Sequence, residues 1–355
     1  MRFSGLSFDV IKILALGTFA FIFAFLLAGP LIKFLYKHRM WRKEVRTKAI
    51  DGGDVPFFQK FHADGEVRTP RFGGALIPLT AVFLIFIFFI LSQITDIEIF
   101  DKFNFLSRSQ TWLPLFALVA ASLLGLADDL LQVYGKGKYI GGGLSLFYRL
   151  ATVFLIGLIG AWWFYFKLNW HTLHIPGLGN LEIDGLYLPL FVVTMMAVYS
   201  GGVIDGLDGL SGGVFATIFA SFTTIALFQH QTDLAAFLTV ILGGLMAFLW
   251  YNIPPAKFYM GETGILGLTA TLTVVAFLTD SVLVLPLIAF VLVIESGSVI
   301  LQLLSKKFRK KKLFLASPLH YHFEARGWPA HQVTMRFWVI SMVAAMIGVI
   351  IRLFG

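Results

Sequence analysis

Ten apolar runs dominate this chain and restrict what it can fold into. They lie at about 10–35, 73–92, 111–127, 144–164, 187–204, 210–228, 234–252, 264–279, 282–304 and 337–354. A run of roughly 20 apolar residues is long enough to cross a bilayer as a helix. Only 14% of the 355 residues are charged, against about 25% in soluble domains. The sequence therefore predicts an all-α polytopic membrane protein with about ten transmembrane helices, in which 1–355 form a single domain.

The chain contains no cysteine, which excludes disulfides, cysteine-ligated zinc and thiol catalysis. The first apolar run is not followed by a small-residue cleavage site. We therefore expect a retained first helix rather than a signal peptide.

Lysine and arginine are unevenly distributed among the loops between these runs. Most of the 28 lie in odd-numbered loops, above all in 37–71 and 306–336. The positive-inside rule then predicts that the odd-numbered loops are cytoplasmic and that both termini lie outside. The net charge of +8 is accordingly explained by topology and by attraction to anionic membrane lipids, and we expect no nucleic-acid partner.

Four unusual polar stretches fall in those odd-numbered loops. LADDLLQVYGKGK lies in the third loop, VIDGLDGLSGG in the fifth, YMGETG in the seventh and SPLHYHFE in the ninth. Each alone has an ordinary interpretation, such as a helix cap, a turn or interfacial filler. Their agreement on one predicted face favours a single cytoplasmic site.

Five carboxylates belong to these stretches. Asp128 and Asp129 are adjacent, Asp205 and Asp208 are three residues apart, and Glu262 lies in a glycine-flanked turn. Converging acids repel unless a cation or proton intervenes, and hard oxygen ligands suit Mg²⁺ or Mn²⁺. The neighbouring glycines would let backbone amides approach a phosphate.

The ninth loop adds His320 and His322, which could ligate a metal, donate to phosphate or shuttle a proton. The basic cluster 306–312 could hold phosphate, although a positive-inside anchor explains it more simply. Glu295 lies inside the ninth run, where acids are often functional, but a polar kink beside Ser296 and Gly297 explains it equally well.

Acids, a divalent cation and basic residues at a lipid interface suit phosphoryl transfer between a soluble nucleotide compound and a lipid phosphate. Two anions must meet, so a metal and cationic side chains must neutralise charge as the phosphate is attacked. Positioning of the reactants supplies most of the remaining catalysis.

Five stretches together resemble the polyprenyl-phosphate N-acetylhexosamine-1-phosphate transferase superfamily, over nearly the whole chain. They are TPRFGGALIP (69–78), GLADDLLQVYGKGK (125–138), GGVIDGLDGLSGG (201–213), FLWYNIPPAKFYMGETG (248–264) and PLHYHFEARGW (318–328). The histidine-rich PLHYHFE resembles the muramoyl-pentapeptide branch, whereas the GlcNAc branches usually carry a His-x-Arg element.

The resemblance implies a reaction. Phospho-N-acetylmuramoyl-pentapeptide passes from its UDP carrier to undecaprenyl phosphate, which gives lipid I and UMP with Mg²⁺ as cofactor. It also implies a homodimer in the bacterial cytoplasmic membrane. Two alternatives stay open: a sister transferase that uses UDP-GlcNAc or a related sugar nucleotide, and a transporter or non-catalytic paralogue that binds polyprenyl phosphate.

The resemblance also assigns catalytic and metal-binding residues. Asp128 and Asp129 match the acid pair of the family, and of these we prefer Asp128 as the base for the lipid phosphate. His320 belongs to the histidine triplet and is expected to be catalytic. Glu262 and Asp205 are the expected metal ligands.

The remaining assignments concern substrate binding. Asp205 and Asp208 match the acids of the DGLDG loop, which is tied to nucleoside binding. Asn252 matches a uridine-site asparagine, and Tyr259 stands where an aromatic ring usually stacks on uracil. His322 and Arg68 complete the expected substrate-binding residues.

Several positions depart from the family pattern. The asparagines of NxxNxxDGLDG are replaced by Tyr199 and Gly202, and MGDxGS reads MGETGI, with Glu262 and Ile265 at the changed positions. Tyr321 replaces the middle histidine of the triplet, and no lysine clearly matches the one expected shortly after the acid pair. These changes are compatible with divergence, altered metal or substrate preference, or lost activity.

Overall fold

The computed structural model describes residues 5–45, 47, 53, 56–107, 110–136 and 143–355. Gly137 and Lys138, which end the second quoted stretch, lie outside these ranges. The helices are α1 (Gly5–Lys37), α2 (Pro56–Glu66), α3 (Leu76–Ile94), α4 (Glu98–Phe103), α5 (Trp112–Val133), α6 (Leu146–Trp162), α7 (Tyr187–Ser200), α8 (Leu210–Phe228), α9 (Thr232–Asn252), α10 (Gly261–Leu278), α11 (Leu285–Ile288), α12 (Phe290–Arg309), α13 (Leu319–Ala325) and α14 (Ala330–Phe354).

Short irregular elements join some of these helices. Strands β1 (Thr172–Ile175) and β2 (Gly179–Glu182) form an antiparallel hairpin between α6 and α7. A π-helical turn over Trp163–Lys167 extends α6, and single 3₁₀ turns cover Gly73–Ala75, Asp184–Leu186 and Gly201–Ile204. The last of these turns leads from α7 into the DGLDG loop.

Nine helices in the described ranges are long and apolar enough to cross a membrane. They match nine of the ten predicted runs. The run predicted over 282–304 instead folds as α11 and α12 with a break at Ala289, and α12 contains Glu295 and three basic residues in its last turn. These charges lower its hydropathy. The prediction of an all-α multi-pass membrane protein is confirmed, whereas the sides on which the loops and termini lie stay predictions.

The outward faces of the spanning helices are apolar. Leu26, Leu155, Val193 and Ile350 are each more than half exposed. Apolar surface spread over the outside of a soluble protein would favour aggregation. On helices of this length it is instead the face that a membrane protein presents to the hydrocarbon chains of the bilayer.

The central helix of the bundle is α10, in which every residue except Glu262 is buried. It packs mainly against α5 and α7. Gly125 permits a close approach of α5, because a Cβ at that position would lie 2.2 Å from the carbonyl oxygen of Glu262. The last turns of α5, with Asp128 and Asp129, therefore meet the first turn of α10.

Small residues also bring α1 against α9. A Cβ on Gly243 would lie 2.4 Å from the carbonyl oxygen of Gly17, so the two backbones touch. Such contacts between small residues are a common way for helices to associate in membranes. Further packing of α8 on α9 and α14 places the DGLDG loop, the end of α9, the start of α10 and α13 at the same end of the bundle.

Candidate active site

Asp129, a residue of α5, caps the N-terminus of the central helix α10. Its side chain is fully buried and accepts hydrogen bonds from the backbone N–H of Glu262 at 3.1 Å and of Thr263 at 2.9 Å. The Thr263 hydroxyl donates to the same carboxylate at 2.7 Å. The first N–H groups of a helix have no intrahelical partners, and the helix dipole favours negative charge there. Asp129 therefore holds the start of α10 in place.

Asp128, the other member of the pair, points into a different set of donors. Its Oδ1 accepts from the backbone N–H of Leu144 at 2.5 Å, and its Oδ2 accepts from Nε2 of Gln132 at 2.8 Å. Arg149 forms an ion pair with Oδ2 at 2.7 Å. Both oxygens of this buried carboxylate are thus held by donors.

Arg149 bridges two of the acids. Besides Asp128, its guanidinium contacts Oε1 of Glu262 at 2.5 Å and donates to the hydroxyl of Tyr199. The other oxygen of Glu262, Oε2, is buried and has no hydrogen-bond partner among the described residues. An arginine thus occupies the space between the base and the metal ligand predicted from the sequence.

A chain of polar side chains extends from Asp128 to the segment between α1 and α2. Glu66 pairs with Arg42 at 2.5 Å, and Nε of Arg42 donates to Oε1 of Gln132 at 3.0 Å. Because the amide oxygen of Gln132 receives Arg42, its NH₂ group must face Asp128. This chain fixes the orientation of the Asp128 carboxylate.

The DGLDG loop supplies two further acids. Asp205 accepts hydrogen bonds from the Ser211 hydroxyl at 2.9 Å and from the backbone N–H of Gly261 at 3.2 Å. Asp208 accepts from the backbone N–H of Ala256 at 3.0 Å. Burial raises the pKa of Asp205 and of Asp208, although these donors act in the opposite direction.

Arg71, from the TPRFGG stretch, faces the acids from the other side. Its Nε lies 3.5 Å from Oδ1 of Asp129. Burial alone would lower the pKa of Arg71, but the negative charges of Asp129, Asp205 and Glu262 raise it. Two guanidinium groups, those of Arg71 and Arg149, therefore balance much of the negative charge.

Asn252 and Tyr259 mainly tie loops together in this structure. The side-chain oxygen of Asn252 accepts from the N–H of Gly209 at 2.9 Å, and its NH₂ donates to the carbonyl of Phe258 at 2.8 Å. Thr69 donates to the hydroxyl of Tyr259. Burial raises the pKa of the Tyr259 hydroxyl to about 12, with a smaller contribution from Asp208.

Most of the SPLHYHFE stretch lies in α13, and the side chains of this helix make contacts on two different sides of it. His320 is fully buried against the DGLDG loop, and the Tyr321 hydroxyl donates to the carbonyl of Gly206 at 3.1 Å. His322 instead accepts from the N–H of Leu315 at 3.2 Å, away from the acids. Partial burial lowers the pKa of His322, and the charge of Arg326 adds to this effect.

The structure thus brings together most of the residues predicted from the sequence. The ones that meet at this end of the bundle are Asp128, Asp129, Asp205, Asp208, Asn252, Tyr259, Glu262 and His320. Arg68 is exposed, and His322 contacts the 313–315 segment. The assignment of each residue to substrate or metal stays a prediction.

Sequence reasoning missed three contributors to the cluster. Arg149 is a charged residue within the apolar run 144–164, which is itself a signal of function. Arg71 lies in TPRFGGALIP, a stretch whose sequence pattern does not assign it a role. Gln132 lies one helical turn after Asp128, so the side chains of this pair face each other.

The donor set is compatible with Mg²⁺, although it does not form a complete metal site. Within the described ranges, no group of three acidic or histidine side chains is arranged to hold a metal ion. Mg²⁺ commonly takes only one or two carboxylates and leaves its other positions to water and substrate phosphate. The unpartnered Oε2 of Glu262, together with Asp205, fits that requirement.

Comparison with known proteins places the chain in a family. A model of glycosyl transferase family 4 matches residues 111–280. Phospho-N-acetylmuramoyl-pentapeptide-transferase of Latilactobacillus sakei subsp. sakei is 34% identical over 314 residues, which cover 88% of this chain and 91% of the relative. The enzyme of the same name from Levilactobacillus brevis is 36% identical over 241 residues, covering 67% and 73%.

A third relative agrees. Phospho-N-acetylmuramoyl-pentapeptide-transferase of Listeria monocytogenes is 35% identical over 262 residues, which cover 72% of this chain and 80% of the relative. The agreement extends well beyond the acid loops into the spanning helices. Together with the multi-pass helical fold, these matches show that this chain belongs to the phospho-N-acetylmuramoyl-pentapeptide-transferase family of bacterial membrane proteins.

Proposed function

We propose that this protein transfers phospho-N-acetylmuramoyl-pentapeptide from its UDP carrier to undecaprenyl phosphate, forming lipid I and UMP on the cytoplasmic side of the bacterial membrane. The observation that carries the proposal is the convergence of Asp128, Asp205 and Glu262 with Arg71 and Arg149 at one end of a membrane bundle. The names of the relatives support the same reaction.

The charges of the cluster suit the meeting of two phosphate-bearing substrates. Arg149 and Arg71 are planar, permanently charged groups that bind phosphate oxygens well. When a diphosphate enters, its oxygens compete with the carboxylates for these guanidinium groups. The guanidinium groups then stabilise charge that develops on the departing UMP.

Each acid has a distinct part in this proposal. Release of Arg149 frees Asp128 to accept a proton from the lipid phosphate. Glu262 and Asp205 would hold Mg²⁺, which when bound polarises the phosphate under attack. Asp129 keeps Glu262 at the start of α10, and Asn252 keeps the DGLDG loop against the 253–260 segment.

The experiment that tests the function is UMP release by purified protein in detergent. Undecaprenyl phosphate is supplied with UDP-N-acetylmuramoyl-pentapeptide or, in parallel, UDP-GlcNAc, each with Mg²⁺ or Mn²⁺. We expect release with the pentapeptide nucleotide alone. Release with UDP-GlcNAc would move the chain to a sister transferase, and no release with either from folded protein would favour a non-catalytic role.

A further inference from the structure

Glu295 is a fully buried acid that has no part in the proposal above. It lies on α12, is fully buried and contacts His320 in two places. Its Oε1 accepts the backbone N–H of His320 at 3.2 Å, and its Oε2 lies 3.0 Å from Nδ1 of the ring. Both oxygens of one carboxylate thus hold a single residue of the candidate site.

This contact determines which ring nitrogen carries a proton. If Glu295 is ionised, its carboxylate can only accept, and Nδ1 of His320 is then the donor. The other nitrogen, Nε2, is buried and has no hydrogen-bond partner among the described residues. A buried, unpartnered polar atom costs free energy, so its presence in a native site calls for an explanation such as a catalytic role or a bound water or ion.

Nε2 points at the DGLDG loop. A Cβ built on Gly206 would lie only 2.3 Å from it, so a side chain at that position would cover the nitrogen. Gly206 stands between the two acids of the loop, and its carbonyl is held by Tyr321. The ring is thus aimed at the backbone between Asp205 and Asp208, the two acids expected to bind substrate.

We propose that Glu295 is a positioning residue for His320, which keeps the proton on Nδ1 and presents the lone pair of Nε2 to a proton-bearing group of the substrate. The arrangement follows the general logic by which a buried carboxylate orients a histidine in other enzymes and metal sites. The inference rests on the proposed transferase function and assigns a role to a residue that the sequence analysis left outside the site.

Glu295→Gln is the informative variant. A glutamine accepts the backbone N–H of His320 with its oxygen and turns its NH₂ group toward Nδ1, so the tie between α12 and α13 is kept. Nδ1 must then be the acceptor, and the proton moves to Nε2. Turnover should fall on the order of 10²–10⁴-fold. KM and the melting temperature in detergent should stay close to wild type.

Two measurements together test the proposal. Nitrogen NMR of histidine-labelled protein, with His320→Gln to assign the resonance, should show Nδ1–H in wild type and Nε2–H in Glu295→Gln. Glu98→Gln, which changes an exposed acid paired with Lys102 on α4, is the matched control and should alter neither readout.

The possible outcomes separate this proposal from the proposed function. Wild-type turnover in Glu295→Gln, or an unchanged ring tautomer, would overturn the positioning role and leave Glu295 as a structural tie. If wild-type protein releases no UMP at all, the transferase function fails, and the NMR comparison still decides whether Glu295 sets the tautomer of His320.

Discussion

Gly202 and Ile265 fit against each other across the site. A Cβ on Gly202 would lie 2.5 Å from Cγ2 of Ile265, a distance at which one of the two residues must move. Both positions depart from the family pattern, in which an asparagine and a serine are expected. A side chain at 202 would therefore have to compete for space with the larger side chain now at 265.

This relationship predicts a strong coupling between the two positions. Gly202→Asn alone should lower stability by about 1–3 kcal/mol through overpacking, together with activity. Gly202→Asn combined with Ile265→Ser should recover much of both losses. Melting temperature and UMP release of the two single variants and the double variant complete the cycle. Strictly additive effects would show that the positions are independent.

The role of Asp129 predicts that Asp129→Ala loses more stability than Asp128→Asn. Asp129→Ala removes the acceptor for two N–H groups and one hydroxyl at the start of the central helix. An unpaired buried donor costs about 1–3 kcal/mol. Thermal unfolding in detergent should therefore begin at a clearly lower temperature.

Asp128→Asn serves as the comparison, because asparagine keeps an oxygen for the N–H of Leu144. Its NH₂ group would then face the donors Gln132 and Arg149, but Arg149 keeps Glu262 as a partner, so the melting temperature should fall less than in Asp129→Ala while UMP release is lost. Equal melting temperatures for Asp129→Ala and wild type would mean that α10 does not depend on this cap.

The sequence was sufficient for the fold class and for most of the candidate site. Nine apolar runs became spanning helices, because burial of their backbone polar groups in a bilayer requires helical hydrogen bonds. The five acids could be assigned to one site because the predicted topology places all of their loops on the same side of the membrane. The run over 282–304 was the difficult one, since it contains Glu295 and the polar side chains of Ser296, Ser298 and Gln302, which make it less apolar.

What the sequence could not supply was the pairing between distant residues. Nothing in the local pattern connects Arg149 with Glu262, which lie 113 positions apart, or Glu295 with His320. The interpretation of Glu295 as part of a polar kink rests only on its sequence neighbours Ser296 and Gly297. Its partner comes from α13, and only the packing of α12 against α13 identifies it.

Because Asp208 is largely buried, we expect its charged form to lower the free energy of unfolding at neutral pH. Burial raises the pKa of Asp208 above its ordinary value of 3.8, so the folded state holds the proton more tightly than the unfolded state. The folded state therefore loses stability relative to the unfolded state as the pH rises above the ordinary pKa of 3.8 and through the raised pKa of the folded state. Asp208→Asn, which keeps an acceptor for Ala256, should melt at a higher temperature than wild type at pH 8.

The difference should shrink as the pH falls toward 4, because wild-type Asp208 becomes neutral as well. Melting curves of both proteins across this range check the direction. A variant that is less stable than wild type at pH 8 would show that the charged form of Asp208 has stabilising partners.

The bridge formed by Arg149 predicts competition with a divalent cation. Its guanidinium holds Asp128 and Glu262 together, so a cation that binds Glu262 must displace it or share the carboxylate. Arg149→Gln removes this competitor and leaves the negative charge of both acids. Mn²⁺ affinity without substrate, measured by electron paramagnetic resonance, should rise by about tenfold, which corresponds to about 1.4 kcal/mol.

Lys102→Gln, which removes a cation paired with Glu98 on α4, should leave the affinity unchanged. Unaltered Mn²⁺ binding in Arg149→Gln would place the cation away from the Asp128–Glu262 pair, and Asp205 would then be the acid to test next.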